Sequence, residues 1–226
     1  FLMTVVAVCT DSVDEAEAID SYFPDIMSYI ETIEPPPYPY EVDGPLAETG
    51  RGIFEATCSR CHGTYGAEET YPNLLVNIDV VGTDPYLATE TFGSVDHFVD
   101  WYNGSWFGEM ARAEPSRGYV APPLDGVWAT APYLHNGAVP TLATLLDSST
   151  RPQYWTRNFE AQDYDREQLG WRFTALPYGK DGASDRAERV RIYDTTRLGY
   201  SNAGHTFGDT MTEDERIAVL EYLKTL

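Results

Sequence analysis

Cys58-Ser59-Arg60-Cys61-His62 is the stretch from which the rest of this chain is read. Its Cys-x-x-Cys-His spacing is that of a c-type haem attachment site. Two thiols at this separation can each form a thioether to one vinyl group of a porphyrin. The imidazole that follows is then positioned to ligate the iron from one face. Two plainer readings fall short. Half of a zinc site would need a second Cys/His pair, and the remaining Cys9, His97, His135 and His205 are scattered. A thioredoxin-like redox pair sits between a strand and a helix and makes no demand for a histidine immediately after it. The expected cofactor is therefore one covalently attached haem c, anchored by Cys58 and Cys61, with His62 on the iron.

The chain has 226 residues, enough for one large domain or a small domain with a long insertion. Its 42% hydrophobic content and mean hydropathy of −0.36 read as a soluble protein. A net charge of −21 excludes a nucleic-acid binder on electrostatic grounds and favours a cationic partner, or simply high solubility in a salty medium. The acidity is uneven: residues 1–50 carry eleven carboxylates and no Lys or Arg, which reads as a solvated negative face. Cys9 is left over by the haem motif. The apolar run before it is too short to cross a bilayer. It reads either as the stub of a secretion signal with Cys9 as a lipid attachment point, or as a buried strand with a structural cysteine. The chain does not open on Met and is read as starting partway through a longer precursor.

Glu15 to Ile33 has apolar residues at helical spacing (Ile19, Tyr22, Phe23, Ile26, Met27, Ile30, Ile33), interrupted by Pro24. Glu34-Pro35-Pro36-Pro37-Tyr38-Pro39-Tyr40 follows as a stiff extended connector. Leu46 to Thr57 is expected to be a helix that delivers the chain to Cys58. Thr212-Glu213-Asp214-Glu215 is a capping box opening a helix to about Lys224, with Ile217, Leu220 and Leu223 as its apolar stripe and Val219 and Tyr222 beside it. Val95 to Tyr102 is an apolar-periodic stretch in which His97 reads as a packed residue. Asn136-Gly137 is a turn, and Thr141 caps a short helix through Leu146.

The helices before Cys58 and after Thr212 resemble the first and last helices of ordinary cytochrome c. In that family a glycine permits close crossing and aromatic residues lock it; Gly50, Phe54, Val219 and Tyr222 stand where such packing would need them. The resemblance also implies a proline carbonyl bonded to the proximal histidine, for which Pro72 in Tyr71-Pro72-Asn73-Leu74 is the candidate. It implies a second axial ligand on the loop before the last helix, Ser201-Asn202-Ala203-Gly204-His205-Thr206-Phe207-Gly208. There His205 is favoured over Met211, which directly precedes the helix cap, and over the outlying Met110.

The middle of the chain carries Thr130-Ala131-Pro132-Tyr133-Leu134-His135-Asn136-Gly137, then Pro140-Thr141-Leu142, preceded by Leu124-Asp125-Gly126-Val127-Trp128. This looks like the signature of the di-haem cytochrome c peroxidase superfamily, and more closely its rubber-oxygenase-like branch. The resemblance covers roughly residues 35–226 and implies the C-terminal, electron-transfer haem domain. In that superfamily the active haem sits in an upstream domain with its own Cys-x-x-Cys-His, and this chain has a single such motif. The region around His135 would lie against the haem and its propionates, with His135 as a hydrogen-bond donor or simply as a pin for the turn. Arg112, Arg117, Arg151 and Trp128 are the propionate candidates.

The expectation is a mainly α protein: an acidic helical extension and Pro-rich connector over 1–40, then a cytochrome c-like domain over 41–226 with a loop-rich insertion at about 75–200. The expected function is a monohaem cytochrome carrying single electrons, with His62 and His205 both on the iron and no catalytic residue. The rivals are a haem peroxidase or oxygenase with an open distal site, and a haem-bearing subunit of a larger redox assembly. The expected partner is a redox protein with a basic docking surface, with membrane or assembly association through the N-terminal region. The expected location is periplasmic or extracellular.

Overall fold

The structure is a computed structural model that describes Thr10 and residues 12–89, 95–159 and 163–226. Cys9 lies outside the described residues, and so do the side chains of His97 and Met110. The mainly α expectation does not hold. Among the described residues, eleven mostly short helices alternate with seven strands in three small antiparallel sheets, so the class is mixed. The strands come from the middle of the chain, where aromatic and β-branched residues such as those of Tyr154–Arg157 and Phe173–Ala175 favour extended backbone.

The chain divides into two compact units, Phe1–Pro35 with Phe92–Ser116, and Pro36–Thr91 with Arg117–Leu226. In the first, the periodic stretch around Pro24 is two helices, Val13–Asp20 and Phe23–Ile30. Pro24 occupies the first turn of the second helix, where its missing N–H costs nothing. The core of this unit gathers Ala16, Tyr102 and Phe107, with Tyr102 and Phe107 stacked at 5.9 Å. Ile26, Met27, Ile30 and Ile33 stay exposed.

The second unit is built around two crossing helices, Gly44–Thr57 and Glu213–Leu223. Asp43 caps the first by accepting from Leu46 N, and Pro45 sits in its first turn. Thr212 and Glu215 form the reciprocal capping box of the second. The crossing point is Gly50. A Cβ there would lie 1.9 Å from the Ala218 carbonyl oxygen, so only glycine lets the backbones approach this closely. One turn on, Phe54 packs against Tyr222 with ring centres 5.3 Å apart, and Val219 is buried beside them. The amide of Asp43 donates to the buried Glu221 carboxylate at 2.7 Å, which fastens the start of one helix to the end of the other.

The C-terminal helix is buried over more than one stripe. Ala218 through Leu223 are all buried while Ile217 is exposed, because the short helix Leu142–Leu146 packs on it as well. Thr141 caps that short helix as expected, with a capping box to Thr144. Leu75–Asn77 pairs antiparallel with Gly118–Val120 and carries residues 121–124 toward the Cys58–His62 turn.

Gly50→Val is expected to lower the stability of this unit by about 1–3 kcal/mol or more, since the new methyls have no free volume at the crossing. Thermal unfolding by circular dichroism reads this directly; an unchanged midpoint would mean the helices do not cross at Gly50.

Candidate haem site

Cys58 ends the first helix, its amide donating to Phe54 O at 2.7 Å. The next turn, Ser59–His62, is closed by Cys61 N and His62 N both donating to Cys58 O at 3.1 Å. This brings both thiols and the imidazole onto one helical turn. Cys58 is partly buried against the main core. Burial, with Cys61 adding to it, pushes the Cys58 thiol up to about 11, so it is neutral at neutral pH.

His62 Nδ1 lies 2.9 Å from the carbonyl oxygen of Pro122. The acceptor is thus Pro122, not Pro72. The pairing of strand Gly118–Val120 with Leu75–Asn77, extended by Ala121 N donating to Leu74 O, sets the Pro122 carbonyl beside the ring. Pro72 instead sits at the Thr64–Thr70 turn, its Cδ 3.0 Å from where a Gly63 Cβ would be. The bond orients His62 Nδ1–H outward, leaving Nε2 for a metal. Tyr65 braces the arrangement: its hydroxyl donates to His62 O at 2.9 Å and accepts from Leu124 N at 2.7 Å. Desolvation lowers the pKa of His62, and the bond to Pro122 opposes it.

His205 faces His62, with ring centres 6.2 Å apart. Two imidazoles bound on opposite sides of one metal, with metal–nitrogen bonds of about 2 Å, stand about 6 Å apart centre to centre. The spacing therefore fits a single iron between them. His205 Nδ1 is buried with no partner among the described residues, and so is the neighbouring Thr83 hydroxyl. Burial, followed by the adjacent His62, lowers the His205 pKa to about 4, so the ring is neutral and able to ligate. A porphyrin would fill four positions around an iron and leave two, which two opposed imidazoles could take.

The loop bearing His205 is pressed onto the residues that follow strand Leu75–Asn77. His205 N donates to Val81 O at 2.6 Å, and Ser201 N donates to the buried Asp84 carboxylate at 3.0 Å. At Gly204, with φ +76°, a Cβ would lie 2.1 Å from the Gly82 carbonyl carbon. Asn136 of the Thr130–Leu142 signature holds the same loop from the other side, its Nδ2 donating to Gly199 O at 3.2 Å and Ser201 O at 2.9 Å.

Among the other expected residues, His135 is exposed and stacks flat on Tyr119 at 4.0 Å. Met211 is buried in the main core. Arg112 and Arg117 are exposed. Trp128 donates its indole N–H to Pro36 O at 3.2 Å. Arg151 donates to five backbone carbonyls, those of Thr144, Leu145, Asn202, Gly204 and His205. A guanidinium has five N–H donors, so none remains for a propionate. The roles of Pro122, Arg151 and Asn136 went unread in the sequence. For Asn136 and Arg151 the signals were the Asn-Gly turn and an arginine just past a helix C-terminus; Pro122 had none.

The family model for the RoxA-like, cytochrome c-like domain matches residues 118–156. The uncharacterized protein y4iJ of Sinorhizobium fredii is 29% identical, aligned over 86% of this chain and 41% of its own length. The uncharacterized protein y4iM of the same organism is 30% identical over 80% of this chain and 45% of its own length. The chain spans less than half the length of these relatives. The match over residues 118–156 contains the Thr130–Leu142 signature and the strand that leads to Pro122, and it makes this segment similar to the RoxA-like, cytochrome c-like domain.

Proposed function

We propose that the chain forms a monohaem c-type cytochrome domain that carries single electrons, with the porphyrin joined to Cys58 and Cys61 and the iron held between His62 and His205. The observation that carries this reading is the 6.2 Å separation of the two imidazoles beside the Cys-x-x-Cys turn. When bound, the haem supplies an iron that changes oxidation state by one electron. The protein supplies a fixed coordination sphere. Pro122 orients His62, the contacts of residues 199–205 orient His205, and the crossed helices hold the thiols at the edge of the core. With His62 and His205 both held toward the iron, no coordination position would be left for peroxide or oxygen, which favours a carrier over a peroxidase or oxygenase. Imidazole stabilises the ferric state better than thioether does, so the potential is low for a cytochrome c.

The acidic surface suits a redox partner with a basic face. Haem attachment through two thioethers suits a periplasmic or extracellular site of action. A second reading, the haem-bearing part of a larger redox protein, is favoured by the greater length of the relatives; in it the same site passes electrons to or from another part of the assembly.

Protein produced with haem-attachment machinery is expected to have the mass of the polypeptide plus one haem, and Cys58→Ala with Cys61→Ala to lose covalently bound colour on a denaturing gel. An unlabelled wild-type band would refute the attachment. The wild type is expected to be low-spin in both oxidation states, and His205→Ala to become high-spin and to bind cyanide; a low-spin His205→Ala protein would place another ligand on the iron. Electron exchange with a cationic redox protein is expected to slow as salt is raised, because charge steering is screened over about 10 Å at 0.1 M. A salt-independent rate in stopped flow would argue against an acidic docking face.

A further inference from the structure

Arg151 is the most heavily bonded side chain near the site, and all five of its acceptors are backbone carbonyls. Its Nε donates to Thr144 O at 3.1 Å and one Nη2 hydrogen to Leu145 O at 2.9 Å. These are among the last carbonyls of the helix Leu142–Leu146, which have no partner within the helix. The other donors reach across to the loop: Nη1 to Asn202 O and Gly204 O, both at 2.7 Å, and Nη2 to His205 O at 3.1 Å. Arg151 thus ties a helix of the main core to three carbonyls around His205.

The loop needs such a tie. His205 has φ +46°, a left-handed conformation that a side chain with a Cβ adopts only when its surroundings impose it. Its own backbone offers one inward bond, from its amide to Val81 O. Three charge-assisted bonds from a rigid planar fork supply the remaining constraint. We infer that Arg151 is a positioning residue that holds His205 in its strained backbone conformation and so keeps its imidazole at the iron. This inference rests on the axial role proposed for His205.

Arg151→Met and Arg151→Lys, each loaded with haem, test it by two independent readouts. Hydrogen exchange reports the loop whether or not haem is present. The His205 amide is expected to exchange faster in both variants while amides of the helix Glu213–Leu223 stay protected. The optical and paramagnetic resonance spectra report the iron. Both variants are expected to gain a high-spin fraction and to bind cyanide roughly tenfold or more faster than the wild type, because a ligand that leaves the iron more often exposes it in proportion. Lysine, with three donors on a point rather than five on a fork, is expected to fall between methionine and arginine. If Arg151→Met does not accumulate as folded protein, Arg151→Lys carries both measurements. Variants that stay fully low-spin, with wild-type cyanide rates and an unchanged His205 amide, overturn the inference. A wild type that is already high-spin overturns the axial role of His205, and the ligand-holding claim with it; the exchange data then still decide whether Arg151 fixes the loop.

Discussion

The close approach of two backbones at Gly50 is the constraint on which the rest of the second unit depends. The helix Gly44–Thr57 carries Cys58 at its end, so its direction decides where the thiols and His62 lie. That direction is set by the crossing with Glu213–Leu223, where the Ala218 carbonyl occupies the place of a side chain. Phe54 against Tyr222 and the Asp43–Glu221 bond then fix rotation and register. The same C-terminal helix is preceded by the loop that carries His205. One helix pair therefore governs the placement of both histidines, His62 through its first member and His205 through its second.

The two histidines are held by different physics. His62 sits on a regular helical turn and is aimed by a single bond to Pro122. His205 lies on irregular chain with a left-handed backbone, and its position is the sum of polar contacts made by Val81, Asp84, Asn136 and Arg151. Buried backbone groups in such a loop must find partners. Here nearly every partner comes from a different segment of the chain. This gives the Thr130–Leu142 signature a physical meaning: its turn supplies Asn136, and its capped helix supplies the carbonyls on which Arg151 is seated.

Local chemistry was legible in the sequence where it is decided locally. Thr212 and Glu215, Thr141, Asn136-Gly137 and the Cys58–His62 turn each act within a few positions and form as their residues imply. Gly50 was legible only through the resemblance to ordinary cytochrome c, in which a glycine of the first helix lets the last helix cross closely. The partner of His62 was not. Pro122 lies 60 positions away, and its approach depends on the pairing of two three-residue strands that carry no strong pattern. The same holds for Arg151, whose loop acceptors lie more than 50 positions on and are backbone atoms that any sequence would provide. The fold class was misjudged for a related reason. Short strands such as Gly170–Trp171 and Tyr193–Asp194 are stabilised by their neighbours, not by their own periodicity.

The bond between Asp43 and Glu221 joins positions 178 residues apart. Ribosomes extend a chain by about 5–20 residues each second, so the helix that ends in Cys58 emerges many seconds before the helix that covers it. During that interval Phe54 and the backbone at Gly50 have no mate, and the two thiols stand on an unprotected segment. Until the helix Glu213–Leu223 has emerged, the helix that ends at Cys58 has nothing to cross at Gly50. The geometry of the chain postpones closure of the core, and so lengthens the period in which the Cys58–His62 turn remains accessible.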